Sequence, residues 1–199
     1  MSWQKVLSTI LHPVVMPTIG ILTYFIITPN HITIREQLYL FITVFITTYL
    51  FPMLLLIFLK LTGRIKSFEV PSIKERKVPL FLMTCIFLFL GKFFQQYTIV
   101  NDLSFLFYGT LLGLIAVYFI FFLNIKTSLH LLSAGSALGF FVTLQLIYNI
   151  SLLPLIVIFM LLAGLLATAR LDLKAHTPKE VYLGFFIGFS CQLIVYYTL

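Results

Sequence analysis

Charged residues are scarce in this chain of 199 residues: Asp, Glu, Lys and Arg make up 10% of it, whereas hydrophobic residues make up 61%. Soluble domains carry about 25% charged residues. A soluble fold of this length could not hide so much apolar surface in one core, so a water-soluble globular domain is excluded. The sequence instead predicts an all-α polytopic transmembrane helical bundle, forming a single integral membrane domain over residues 1–199.

Cysteine is also rare. Cys85 and Cys191 are the only two, both lie in apolar stretches, and they do not form a CxxC pair. We therefore expect neither a disulfide framework nor a cysteine metal site, and we interpret both residues as small packing residues.

Acidic residues number only six against thirteen Lys and Arg, which gives a formal net charge of +7. This excess does not indicate a nucleic-acid partner, because the cations lie in short gaps between apolar runs and not on a soluble domain. Basic loops next to membrane helices are typical of orientation signals or of contacts with anionic lipids. The predicted partners are thus membrane lipids and no nucleic acid.

Long hydrophobic runs are what the chain has in abundance. A membrane-spanning helix needs roughly 20 apolar residues, and the pattern predicts about six to seven spans. Pro13 and Pro17 should break or bend the first, Pro52 should kink the second, and a polar patch around Asp102 should separate the third from the fourth. The predicted segments are 8–28, 37–61, 79–98, 104–123, 128–148, 152–169 and 179–198.

With seven spans, the loops 62–78, 124–127 and 170–178 share one membrane face with the N-terminus. That face holds eleven of the thirteen Lys and Arg, and the other face holds only Arg35 and Lys92. The positive-inside rule places the basic face in the cytoplasm. The full set on that face is Lys5, Lys60, Arg64, Lys66, Lys74, Arg76, Lys77, Lys126, Arg170, Lys174 and Lys179.

The most distinctive polar group lies between the last two spans. Arg170 ends one apolar helix, Glu180 starts the next, and His176 precedes Glu180 by four residues. A carboxylate that holds one imidazole nitrogen leaves the other free as a nucleophile, and Arg170 is suited to bind a phosphate oxygen. The structural alternative is a capping box, with Thr177 as N-cap and Glu180 at N3.

A second polar group, Lys126 to His130, opens the fifth predicted helix. The backbone N–H groups at a helix start bind anions, and Ser128 would contribute both backbone and hydroxyl donors. His130 could protonate a leaving oxygen. Alternatively, Thr127 or Ser128 is only an N-cap and His130 an interfacial residue.

A third basic group, containing Lys74, Arg76 and Lys77, precedes the third predicted helix. It could clamp a phosphate, or it could be a solvated positive-inside loop. His12, next to Pro13, could face the same site or cap the broken backbone. The pairs Gly135/Gly139 and Gly184/Gly188 predict close helix packing.

These three groups resemble the motifs of the PAP2 (phosphatidic acid phosphatase type 2) family, KxxxxxxRP, PSGH and SRxxxxxHxxxD. Arg170, His176 and Glu180 reproduce the spacing of the third motif. Residues 127–130 match the second in part, and Arg76 with Pro79 suggests the first. The resemblance covers about residues 62–190 and implies a PAP2-like core.

The resemblance implies a lipid phosphatase without metal or cofactor. By analogy His176 would attack phosphorus and form a phosphohistidine, Glu180 would orient it, and His130 would protonate the leaving group. Arg170, Ser128, Arg76, Lys74, Lys77 and Lys126 would bind phosphate. The substrate would be a lipid phosphate such as phosphatidate, phosphatidylglycerophosphate, a polyprenyl diphosphate or a lipid A type. The family resemblance also implies a periplasmic site, contrary to the charge count. The abundance of Phe (22 residues) without a soluble domain suggests a bacterial inner membrane protein.

Several positions depart from the motifs. Ala169 replaces the motif Ser, Leu129 replaces a Gly that lets backbone approach phosphate, and Glu180 replaces Asp. These departures favour an alternative, a non-catalytic PAP2-like lipid-binding or scaffold protein. A transporter would need polar residues at mid-bilayer depth, whereas Lys92 and Gln95 lie near a helix end.

Overall fold

The computed structural model describes residues 2–28, 32–65, 67 and 72–199, and most of the described residues are helical. Lys66, in the predicted loop 62–78, lies outside the described residues. His31, which the sequence predicts to lie in a loop on the other membrane face, also lies outside them. The α-helices are α1 (Trp3–Ile10), α2 (Met16–Ile27), α3 (Ile34–Phe45), α4 (Phe51–Leu61), α5 (Ile73–Gln95), α6 (Leu103–Phe122), α7 (Leu129–Tyr148), α8 (Leu153–Asp172) and α9 (Pro178–Thr198).

Six helical stretches among the described residues are long and apolar enough to cross a membrane: the joined α3 and α4, then α5, α6, α7, α8 and α9. This confirms the prediction of a polytopic helical bundle. α3 passes into α4 through a π-helical turn, Ile46–Leu50, which ends two residues before Pro52. The missing N–H of proline disrupts the regular ladder of the α-helix at this point, where the sequence predicts a kink.

The first predicted segment is broken, as its prolines indicate. α1 ends at Ile10 and α2 begins at Met16, and neither is long enough to cross alone. Together they connect both ends of the bundle, because the Gln4 side chain reaches Asp172 at the end of α8 (3.4 Å) and Tyr24 reaches Asp102 at the start of α6 (2.7 Å). The chain therefore still passes from one end of the bundle to the other before α3.

The third basic group does not lie in a loop before the helix, as the sequence predicts, but inside it. α5 begins at Ile73, six residues before the predicted start, because the Ser72 side chain accepts a hydrogen bond from the Glu75 N–H (3.2 Å) and caps the helix. Pro79 sits within the helix near its start. Arg76 is consequently held on a rigid element.

α7 is the central helix, and most of its residues are buried. It packs closely on α9 through the predicted glycines: a Cβ at Gly135 would collide with the Phe185 carbonyl oxygen, and one at Gly188 with the Leu132 carbonyl oxygen. Without side chains the two backbones approach closely, as is common between membrane helices. This contact fixes the starts of α7 and α9 side by side.

Candidate functional site

The site lies at the end of the bundle where α5, α7 and α9 begin and α8 ends, which we call the motif end. At the start of α9, Thr177 and Glu180 form the capping box, each side chain bonding to the backbone of the other. Glu180 Oε2 also accepts from His176 Nδ1 at 2.6 Å. Glu180 thus has both of the predicted roles: it caps α9 and accepts a hydrogen bond from the His176 imidazole.

His176 stands before the N-cap and not within the helix, so the four-residue spacing brings it to Glu180 through the capped turn. The residue is 8% exposed. Burial lowers the pKa of the His176 imidazole to about 4, although the Glu180 carboxylate acts in the opposite direction. The ring is therefore neutral at neutral pH, with Nδ1–H donated to Glu180 and the Nε2 lone pair left for an electrophile.

The start of α7 is tied directly to this turn. The Ser128 N–H donates to the Glu180 carbonyl oxygen (3.1 Å), and Arg76 Nη1 donates to the Thr127 carbonyl oxygen (3.2 Å). Lys126 Nζ donates to the carbonyl oxygen of Ala175, next to His176 (2.9 Å). The structure therefore joins parts of all three predicted groups at one place.

The hydroxyls at this helix start do not form the cap that one interpretation of the sequence predicts. Ser128 is the N-cap residue of α7, but its side chain makes no capping hydrogen bond. The hydroxyls of Thr127 and Ser128 are fully buried and have no hydrogen-bond partner among the described residues. Buried polar atoms in this situation are unusual.

Cations surround the imidazoles. Arg170, in the last turn of α8, interacts electrostatically with His12, Arg76 and Lys126. Burial lowers the pKa of the Lys126 amine, and the nearby Arg76 guanidinium acts in the same direction. Several positive groups held this close together would attract an anion.

A cavity of about 730 Å³ opens from this cluster into the bundle. Its outer part is lined by Lys5, Arg76, Lys126, Arg170, Lys174 and the three histidines His12, His130 and His176, and no Asp or Glu among the described residues lines it. Its inner part is mostly apolar and is lined by Pro52, Leu55, Leu56, Leu80, Met83, Phe87, Leu114 and Leu132, with Thr110 beside them. The cavity therefore has the polarity of an amphiphile with an anionic head and a hydrocarbon tail.

His130 lies in the first turn of α7 and lines this cavity. Its Nε2 lies 3.1 Å from the main-chain oxygen of Ser8 in α1, and its ring meets the ring of His12 edge to face, with centroids 5.0 Å apart. The predicted proton donor is thus held by the N-terminal segment.

Two predicted phosphate-binding residues do not join the cluster. Lys74 is exposed, and Lys77 places its amine over the ring of Phe122, 5.3 Å from the centroid. Neither lines the cavity. Lys74 and Lys77 lie about 200° and about 100° around the axis of α5 from Arg76, so of the three only Arg76 faces the other cations.

The N-terminal residues are the part of the site that the motifs do not include. Lys5, Ser8, Thr9 and His12 all line the cavity. The sequence signal for them is His12-Pro13, a polar residue at a helix break inside an apolar run. Lys5 and Ser8 carry no such signal.

Among the described residues, no group of three or more His, Cys, Asp or Glu side chains is placed to hold a metal ion. Comparison with family models, with curated proteins and with solved structures finds no match to this chain. The resemblance to the PAP2 family therefore rests on the motifs themselves.

Proposed function

We propose that the protein is a membrane lipid phosphatase that hydrolyses a phosphomonoester or diphosphate of a lipid through a phosphohistidine at His176. The observation that carries the proposal is the neutral His176, held at Nδ1 by Glu180 (2.6 Å), at the cationic mouth of an apolar cavity. A carboxylate that fixes the tautomer of a histidine prepares its other nitrogen for attack.

The phosphate would lie among Arg76, Lys126 and Arg170. Charge-assisted hydrogen bonds from guanidinium and ammonium groups stabilise the charge that develops on the phosphoryl oxygens during transfer. Attack by Nε2 forms the nitrogen–phosphorus bond as the bond to the leaving oxygen breaks, and water then hydrolyses the phosphohistidine. The hydrocarbon chain would occupy the inner, apolar part of the cavity.

The test is the release of inorganic phosphate by protein purified in detergent, with phosphatidate, phosphatidylglycerophosphate, a polyprenyl diphosphate and lipid A as substrates. We expect release that persists in EDTA, is abolished in His176→Ala, and is retained in the matched control Lys74→Ala. Radiolabelled substrate should leave an acid-labile phosphoenzyme in the wild type only. Undiminished release by His176→Ala would overturn the mechanism.

A second function, lipid binding without turnover, is favoured by Leu129. This residue stands where the PAP2 motif has glycine, and its side chain lines the cavity. The same assay separates the two functions, because a binding protein would retain anionic lipid through purification and release no phosphate.

We further propose that the protein resides in a bacterial inner membrane. The basic residues at the motif end favour a cytoplasmic site, whereas the family resemblance favours a periplasmic one. Lys179→Cys places a thiol on an exposed residue at the motif end. Labelling of this thiol in intact cells by an impermeant maleimide indicates a periplasmic site, and labelling only after lysis indicates a cytoplasmic one.

A further inference from the structure

We propose that the N-terminal segment is a working part of the site: the main-chain carbonyl of Ser8 fixes the tautomer of His130 and leaves Nδ1 of that ring as the atom that exchanges the proton. The inference rests on the proposed phosphatase function, and it gives a role to a segment outside the three motifs.

The availability of this carbonyl follows from the sequence of the segment. In a continuous helix the Ser8 oxygen would accept from the N–H of His12. α1 instead ends at Ile10, because a proline disfavours helical geometry at the residue before it, here His12. The His12 oxygen then accepts from the N–H groups of Val15 and Met16, which start a new turn. The Ser8 oxygen is left as one of the terminal carbonyls of α1, and it lies 3.1 Å from His130 Nε2.

A carbonyl oxygen can only accept a hydrogen bond, so the ring nitrogen that meets it carries the hydrogen. The neutral His130 ring is therefore protonated at Nε2 and bare at Nδ1. The Ser8 carbonyl bears the same relation to His130 as the Glu180 carboxylate bears to His176, where Nδ1 is held at 2.6 Å and Nε2 is free. The His130 and His176 imidazoles thus each have one nitrogen held by an acceptor and one left for chemistry.

This arrangement assigns the proton steps to one atom. In the first half-reaction, the bound phosphate monoanion gives its proton to His130 Nδ1, His176 Nε2 bonds to phosphorus, the bond to the leaving oxygen breaks, and imidazolium His130 gives that proton to the leaving oxygen. In the second, a water oxygen attacks phosphorus, its proton passes to His130 Nδ1, and the nitrogen–phosphorus bond breaks; the departing phosphate then takes the Nδ1 proton, and the ring is neutral again. The Ser8 carbonyl accepts from Nε2–H throughout and stabilises the imidazolium whenever it forms.

His12 holds the ring in place. Its imidazole meets that of His130 edge to face, at 84° between the ring planes, and its own Nδ1 faces the N–H of Val14 (3.4 Å). The other charged or titratable groups that act on His130 are Arg170 and His176. His12 is therefore a positioning residue: its ring packs against the ring of His130 and transfers no proton to it.

The first test is direct and needs no turnover. Nitrogen NMR of the full chain with labelled histidine, with His130 assigned by the loss of its signals in His130→Gln, reports the tautomer of each ring at neutral pH. We expect the Nε2–H tautomer for His130 and the Nδ1–H tautomer for His176. A neutral Nδ1–H tautomer at His130 would overturn the inference, whether or not the protein releases phosphate.

The second test compares two substitutions at His12 in the phosphate-release assay. His12→Phe keeps a ring edge against His130 and removes the titrating nitrogens, whereas His12→Ala removes the ring. We expect kcat within about threefold of wild type in His12→Phe and at least about tenfold lower in His12→Ala, with KM unchanged in both, since only the transition state uses the proton. Equal losses in the two variants would show that the nitrogens of His12, and not its ring edge, are needed, and would contradict the positioning role. Absence of phosphate release from the wild type would instead overturn the phosphatase proposal, and the tautomer spectra would still test the Ser8 contact.

Discussion

Tyr24 donates a hydrogen bond of 2.7 Å to Asp102, and Tyr148 donates a second, also of 2.7 Å, to the other oxygen of the same carboxylate. Asp102 and Tyr24 are both buried. The three residues join α2, the start of α6 and the end of α7 at the end of the bundle opposite the site. Burial raises the pKa of the Asp102 carboxyl, and the hydrogen bonds from the two tyrosines act in the opposite direction.

We therefore expect Asp102→Asn to destabilise the protein without changing its chemistry. An amide can accept from only one of the two phenols, and the loss of a hydrogen bond to a charged group costs about 1.5–3 kcal/mol. Denaturation in a detergent series should show lower stability for Asp102→Asn and for Tyr24→Phe. Tyr197→Phe, at a residue 76% exposed, is the control and should change nothing. Full stability in Asp102→Asn would mean that the carboxylate does not hold these helices together.

Glu180→Gln separates the two roles of Glu180. Glutamine also forms a capping box, so α9 should keep its start and the protein its stability. The carboxylate that holds His176 Nδ1 is lost, and a neutral amide can select the wrong tautomer. By analogy with such changes in catalytic triads, we expect kcat to fall by ~10³- to 10⁴-fold. A Glu180→Gln enzyme with normal turnover would leave Glu180 with the capping role alone.

The buried neutral imidazole of His176 makes stability depend on pH. Its pKa in the folded protein, about 4, lies below the ordinary value of 6.5, so the unfolded chain binds the proton first. Stability should therefore fall as the pH drops from about 6.5 towards 4, and should change no further through this group below that range. Melting temperatures in detergent over this range test the expectation, and His176→Gln should show a shallower dependence. Equal slopes in the two proteins would contradict it.

The sequence predicts the membrane class, the six long helices and the break at Pro13, because hydrophobic runs and prolines are local signals. It also predicts the pairing of His176 with Glu180 from their spacing of four residues. The expected reason, a shared face of one helix, is wrong, because His176 precedes the N-cap of α9. It does not predict that Ser8 meets His130. That contact joins residues 122 positions apart. It uses a main-chain oxygen, which every residue has, so no residue type in the sequence indicates it. Nor does the sequence show that Arg76 lines the cavity whereas Lys74 faces outward. That difference depends on the side of α5 that each residue occupies, and a basic stretch alone does not indicate the side.

Gly184 lies where the packing of α9 against α7 positions the residues of the site. A Cβ at this position would collide with the Ser128 carbonyl oxygen at the start of α7. Gly184→Ala should therefore push α7 and α9 apart at the motif end, and a displacement of ~1 Å can cost ~100-fold in rate. The matched control is Gly164→Ala in α8, where a Cβ would meet nothing within 4 Å. Alanine favours helix over glycine by about 0.8–1 kcal/mol, so the control should be as stable as the wild type or more so, with unchanged phosphate release.

Arg76 and Lys74 are only two residues apart on α5, but their charges lie on different sides of the helix. Arg76 is 8% exposed and donates to the Thr127 carbonyl oxygen, whereas Lys74 faces outward. Arg76→Lys keeps the charge but loses the planar fork that binds two oxygens at once. A hydrogen bond between charged partners contributes about 1.5–3 kcal/mol, so we expect kcat/KM to fall by ~10- to 100-fold. Lys74→Gln should leave kcat/KM unchanged, because it removes a charge that solvent already screens. Equal effects of the two substitutions would indicate that the net charge of the motif end, and not a specific phosphate contact, attracts the substrate.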